Sequence, residues 1–245
     1  MNPYKQTLYV VWGNILLFTS SVIWIGEWYL APISIIALYT FGMFSEISVH
    51  RFYTHKSFKT SVYKEYLLRL FAFLTGQGAT ISWVTVHRYH HAYEDTINDP
   101  HSPLHHPKWK IFLGLFPNNY KKNLIIDLMR SKAWKYFLFE NKYYWIMWTG
   151  LWLVTFHIHH LLFFFIVAGS ALWYIATAIV NITAHSGKFG EHRFTDAVAR
   201  NVPWLNVLSL AGNHNNHHKF PGSYTYKIDK EVDVYSWIID KFFKA

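Results

Sequence analysis

The chain is 245 residues long and contains no cysteine, so it is read as one domain without disulfides or thiolate ligands, and any metal must take nitrogen or oxygen donors. Aromatic residues make up 20% of it and charged residues 15%, which fits a large lipid-facing surface, while a mean hydropathy of only +0.07 requires a polar part outside any membrane. The formal net charge of +9 points to an anionic surface or substrate rather than nucleic acid, because the Lys and Arg residues form no arm or nucleic-acid motif.

Gln6 to Gly26 is free of charge, and Trp28 to Ser45 is a second uncharged run beyond Glu27. At ~1.5 Å per residue each is long enough, with its flanks, to cross the ~30 Å hydrocarbon layer. The expectation is a helical hairpin, with transmembrane helices at about 7–27 and 29–49. The first run is too long for a signal-peptide core and lacks a small-residue cleavage site. Leu70 to Val86 is also uncharged but carries Gly76, Gly78 and several hydroxyl residues; it is expected as a helix lying along the interface. Tyr143 to Gly187 has no Asp, Glu, Lys or Arg over 45 residues. That length suits two crossings, at about 143–157 and 161–185, with a turn at His157-Ile-His-His160.

With these four crossings all 23 Lys and Arg residues fall on one face. The positive-inside pattern then makes both termini cytoplasmic, in a bacterial inner membrane or the endoplasmic reticulum. Residues 50–142 and 186–245 form a cytosolic, interfacial cap, with amphipathic helices expected over Tyr120–Asn141 and Val232–Phe243. The fold class expected is an all-α integral membrane protein, a single domain over residues 1–245, with four transmembrane helices in two hairpins under a helical cap.

The histidines carry the chemistry. His87-Arg-Tyr-His90-His91 and His214-Asn-Asn-His217-His218 repeat His-x-x-His-His, which puts three imidazoles on one helix face. Asn181 and His185 add an i, i+4 pair at the end of the last apolar run. His50 and His55 stand about 140° apart on an ideal α-helix, so they converge only if the helix ends or unwinds between them. A lone histidine beside an apolar face is ordinary core. Two copies of this box and two further sites on one face form a metal centre. Nine imidazoles suit two metals with four or five nitrogens each, and imidazole alone leaves zinc, copper, iron and nickel open. His157, His159 and His160 fall across the bilayer from the rest and are read as a turn.

With these residues in place the chain resembles the membrane-bound fatty acyl desaturases, in their Δ9, stearoyl-CoA desaturase-like branch. The resemblance rests on His50-Arg-Phe-Tyr-Thr-His55, both His-x-x-His-His boxes, Asp95-Thr-Ile-Asn-Asp-Pro-His101, Asn181 with His185, and Phe220-Pro221, with Gln77 and Trp83 also fitting. It implies two iron ions. One would take His50, His55, His87, His91 and His217; the other would take His90, His185, His214 and His218, with a water held by Asn181. It also implies O₂, a long-chain acyl substrate, a thioester such as an acyl-CoA with carrier protein or intact lipid left open as carriers, and a cis double bond as product. Electrons would come from a separate donor of cytochrome b5 or ferredoxin type. Arg88 is a candidate for acyl-carrier phosphates, and Leu38, Phe41 and Gly42 for the closed end of an acyl slot. One departure is Leu210-Ala-Gly-Asn213, where the family usually carries Gly-Glu-Gly and an aromatic. Two other readings remain: a His-box lipid hydroxylase or ketolase, and a non-enzymatic membrane metal-binding protein.

Overall fold

The computed structural model describes residues 1–115 and 122–245. Among them helix is the only extended regular structure, beside one isolated bridge between Glu191 and Asn201. In chain order the helices are α1 (Pro3–Ile25), α2 (Leu30–Ser45), α3 (Val62–Leu74), α4 (Thr80–Ala92), α5 (Lys108–Phe112), α6 (Ile126–Met129), α7 (Trp134–Ile158), α8 (His160–Ala184), α9 (Leu205–Ser209), α10 (His214–Lys219) and α11 (Val234–Ile238). Part of the amphipathic stretch expected from Tyr120 onward lies outside the described residues.

Three stretches among the described residues are long and apolar enough to cross a membrane: Pro3–Ile25, Leu30–Thr54 and His160–Ala184. The chain is an integral membrane protein. Helix α7 matches α8 in length, at 25 residues each. Its first turns carry Lys135, Glu140 and Lys142, and its uncharged part mixes Trp and Tyr with aliphatic residues. Helices α1, α2, α7 and α8 pack side by side around Phe41, Trp148, Trp152, Phe163 and Trp173. The turns that follow α1 and precede α8 meet at one end, where Ile25, Tyr29 and Leu30 pack with Leu161 and Phe164. The histidine boxes lie at the other end.

The stretch Leu70 to Val86 is two helices rather than one. α3 stops at Leu74 and α4 starts at Thr80, because Gly76 and Gly78 take φ of 72° and 122°, open only to glycine at low cost. A Cβ on Gly76 would lie 1.8 Å from Ser170 Oγ, so this turn presses directly on α8. There Ser170 accepts a hydrogen bond from Asn14 Nδ2 at 2.9 Å and donates to the Thr75 carbonyl at 3.2 Å. Trp152 Nε1 donates to Asn14 Oδ1 at 3.0 Å. This buried network pins α1, α7, α8 and the glycine turn together, and the turn aims α4 at the histidine end.

Candidate metal centre and substrate cavity

Helix α2 continues without a break into a π-helical segment, Glu46–Thr54. Its wider turn, sealed by the His55 N–H donating to the His50 carbonyl at 3.1 Å, places residues five apart nearly in register. His50 and His55 therefore point the same way, with ring centroids 5.0 Å apart. The backbone widens where an end or an unwinding was expected. α4 supplies His87, His90 and His91, the end of α8 supplies His185, and α10 supplies His214, His217 and His218.

These nine side chains fall into two groups. The ligand atoms of His50, His55, His87, His91 and His217 all lie within 4.8 Å of one another, as do those of His90, His185 and His218. His214 joins the second group, its Nε2 2.9 Å from His185 Nε2. Burial, and after it the fields of neighbouring imidazoles, push His55, His87, His90, His214, His217 and His218 well below the ordinary histidine range. The same causes bring His91 to about 3. These rings are free bases with lone pairs available.

The orientation of the rings fits cations. His50, His90 and His185 each place Nδ1 against a carboxylate: Glu46 at 2.9 Å, Asp99 at 2.8 Å and Asp95 at 2.7 Å. A carboxylate accepts, so Nδ1 carries the proton and Nε2 keeps its lone pair. Yet His50 Nε2 and His91 Nε2 each lie 3.0 Å from His217 Nε2, and one N–H cannot serve both. The Nε2 atoms of His55, His90 and His218 are buried without any hydrogen-bond partner. Buried lone pairs aimed at common points are satisfied by metal ions.

The loop Asp95–His106 builds the carboxylate frame of the second group. Asp95 has φ of 53°, and its N–H donates to Asp99 Oδ2 at 2.9 Å. The Ser102 hydroxyl donates to the Asp95 carboxylate. His105 and His106 donate from Nε2 to the carbonyls of Asp95 and Asp99, each at 2.9 Å. Glu94 Oε1 stands 3.2 Å from His218 Nδ1. His101 is buried against the His90 ring, with centroids 4.3 Å apart. Residue spacing does not reveal these supporting roles. The one local signal is Glu46, four before His50 on a helix.

A cavity of about 350 Å³ opens beside both groups. His50, His87, His214 and His217 line it together with Asn181, Tyr226, Trp173, Thr177 and, from α1, Tyr4, Thr7 and Val11. Gln77 and Trp83 also line it: Trp83 Nε1 donates to Gln77 Oε1 at 3.1 Å, and Gln77 Nε2 to Thr177 at 3.1 Å. Leu38, Phe41 and Gly42 are not among the lining residues, because the cavity runs between α1, α4 and α8 and meets α2 at its last residue, Ser45. Phe41 packs on Gly169, and Gly42 backs onto the Trp173 ring. Arg88 does not reach the cavity either. Its five donors go to the carbonyls of Tyr53, Thr54 and Leu124 and to both oxygens of Asp127, at 2.6–3.0 Å, which leaves none for a phosphate. In Leu210-Ala-Gly-Asn213, just before the box that begins at His214, Leu210 sits in the left-handed region at φ 54°. Asn213 lines the cavity, and Gly212 lies against the Val202 carbonyl, where a Cβ would come within 2.7 Å.

Comparison with known proteins gives this arrangement a context. The family model described as "Fatty acid desaturase" matches residues 26–241. Delta-9 acyl-lipid desaturase 2 of Arabidopsis thaliana is 32% identical over 238 residues, 93% of this chain and 73% of that protein. Delta-9 acyl-lipid desaturase 1 of the same plant is 32% identical over 224 residues, 88% of this chain and 72% of that protein. The hex-5-enoyl-[acyl-carrier protein] acetylenase of Moorena producens (strain JHB) is 30% identical over 226 residues, 81% of this chain and 66% of that protein.

Proposed function

Because the chain belongs to the fatty acid desaturase family, in its Δ9 branch, we propose that it places a cis Δ9 double bond in a long-chain acyl group at two irons held by the nine histidines. It is an enzyme, an oxidoreductase that uses O₂ on fatty acyl chains. The observation that carries the site assignment is the pairing of two converging sets of buried imidazole lone pairs with one largely apolar cavity. His50, His55, His87, His91 and His217 hold one ion. His90, His185, His214 and His218 hold the other, and Asn181, which faces the cavity beside His214, orients a water on it. When bound, the iron pair would supply the O₂-derived oxidant needed to break unactivated C–H bonds, which no side chain can provide.

The chain's own residues do the rest. Gln77, Thr177 and Trp83 form a hydrogen-bonded wall that ties α4 to α8 and keeps the acyl chain against His87. A featureless chain can be read only by where it is held, so a fixed wall beside the metal ligands selects the carbon pair that reacts. Gly42 acts through Trp173: its missing Cβ leaves room for a ring that also lines the cavity. Gly42→Leu should drive that ring inward and shorten the accepted chains, with unchanged product lengths counting against this role.

Of the carriers that the sequence left open, CoA, carrier protein and intact lipid, the one we assign is an acyl-lipid, following the two plant relatives named for it. Electrons come from a donor of cytochrome b5 or ferredoxin type. Helix α7 is the fourth crossing, and the metal centre and both termini face the cytoplasm. The test is expression in a host lacking the activity, with double bonds located in its total fatty acids. The expected result is a new Δ9 cis monoene, two hydrogens lighter than its parent. An oxygen-containing product would replace this reading by the hydroxylase one. An unchanged profile from an iron-loaded protein would refute both.

A further inference from the structure

The two metal positions differ in what surrounds them. Around His90, His185, His214 and His218 stand three carboxylates: Asp99 on His90 at 2.8 Å, Asp95 on His185 at 2.7 Å and Glu94 3.2 Å from His218 Nδ1. None of the three forms an ion pair with Lys or Arg among the described residues. Around His50, His55, His87, His91 and His217 only His50 meets a carboxylate among the described residues, Glu46 at 2.9 Å. Arg51 shares that carboxylate, with Nε 3.6 Å away, and itself pairs with Asp233 at 2.9 Å. Imidazole ligands are neutral, so the charge on each ion is balanced only by these outer carboxylates. In a buried site that balance is weakly screened.

We propose that the two positions are electrostatically unequal: the one held by His90, His185, His214 and His218 binds its ion first and more tightly, and is where the higher ferric charge settles. Three carboxylates with no Lys or Arg partner among the described residues stabilise each added positive charge there more than one carboxylate shared with Arg51 does across the centre. Asp99 and Asp95 also hold the His90 and His185 rings through Nδ1 with Nε2 unprotonated, so two of the four ligands are oriented before metal arrives. In the other set His55, His87, His91 and His217 have no carboxylate on a ring nitrogen among the described residues. The inference rests on the di-iron reading and adds an order of filling and an order of oxidation to it.

The test titrates the metal-free full chain, in detergent under anaerobic conditions, with ⁵⁷Fe²⁺ alone. Bound iron is read by metal analysis and valence by Mössbauer spectra after partial oxidation. The wild type should take up two irons in two separable steps. His185→Ala should abolish the tighter step and His55→Ala the weaker one. Asp95→Asn or Asp99→Asn should weaken the tighter step by about 10–100-fold and leave the other in place, the surviving step showing that the variant is folded. Asp99→Glu, which keeps the charge, should restore much of the loss. In half-oxidised wild type the ferric signal should be the one that His185→Ala removes. Two irons taken up with equal affinity, a tighter step lost in His55→Ala, or no difference between Asp99→Asn and Asp99→Glu would overturn the inference while leaving the di-iron reading intact. A wild type that binds fewer than two irons overturns both.

Discussion

Arg88 follows His87 directly, and a cation beside a metal ligand invites a role in holding phosphate. Its surroundings assign it a different one. The guanidinium joins the end of the π-helical segment, through the carbonyls of Tyr53 and Thr54, to Asp127 on α6. A lysine keeps the charge but cannot fork. Arg88→Lys should therefore lower stability by about 2–3 kcal/mol, since buried carbonyls lose charge-assisted bonds, and it should leave the KM for the acyl substrate unchanged. Thermal unfolding in detergent beside a KM measurement checks this. Its partner adds a pH test. Burial alone would raise the Asp127 carboxyl, but hydrogen bonds and charge from Arg88 and Lys56 outweigh it and hold the group at about 2, against an ordinary value of 3.8. A depressed carboxyl stabilises the fold above the ordinary value, and the gain is lost as pH falls through the folded one. The stability gap between wild type and Asp127→Asn should hold above pH 4 and close between pH 4 and 2; a gap constant with pH counts against it. At this scale the nine histidines are legible because residue type and spacing announce them. The partners of the carboxylates are not: the Asp95–His101 motif is visible, but which ring Glu94, Asp95 and Asp99 each meet emerges only when a loop folds them back onto the histidines.

The elements show how local geometry completes a pattern that spacing leaves open. Five residues between His50 and His55 do not fit an α-helix, and the wider π-helical turn resolves the mismatch without ending the helix. Hydropathy cannot foresee such a turn, because Glu46–Thr54 carries no glycine or proline to mark it. The glycines at Gly76 and Gly78 were visible, yet a break between two helices emerges only from what they touch. Gly76→Ala combines a left-handed φ of 72° with a Cβ 1.8 Å from Ser170 Oγ, so it must break the Asn14–Ser170–Thr75 network. A loss of about 3 kcal/mol or more is expected from strain and unpaired buried groups together. Gly187→Ala has the same backbone strain, at φ 69°, but nothing within 4 Å of the added carbon. It should cost only about 1–2 kcal/mol. Folded yield and unfolding temperature for the pair separate contact from strain; equal losses would remove the case for close packing at the turn.

At the scale of the whole molecule the question is how the helices stand across the bilayer. The histidine end gathers residues from the π-helical continuation of α2, from α4, from the end of α8 and from α10, while the turn after α1 and the turn before α8 pack together at the far end through Ile25, Tyr29, Leu30 and Leu161. If α1, α2 and α8 cross, the shared metal centre forces His50 and His185 to one side. α7 must then cross as well, because it delivers the chain from the cap to His160 at the far end of α8. Its length of 25 residues allows this, even though Lys135, Glu140 and Lys142 keep its first turns near the polar face. Neither far turn carries Lys or Arg, in keeping with a non-cytoplasmic position. The absence of cysteine makes the arrangement directly testable. Single cysteines at Trp28, His159, Lys59 and Lys188 are all at exposed positions. With a membrane-impermeant maleimide, Trp28→Cys and His159→Cys should label in intact cells, and Lys59→Cys and Lys188→Cys only in inverted vesicles. Labelling of His159→Cys together with Lys188→Cys would place both ends of α8 on one face. α8 could not then span, and one bilayer surface would have to carry the histidine end and the far turn alike.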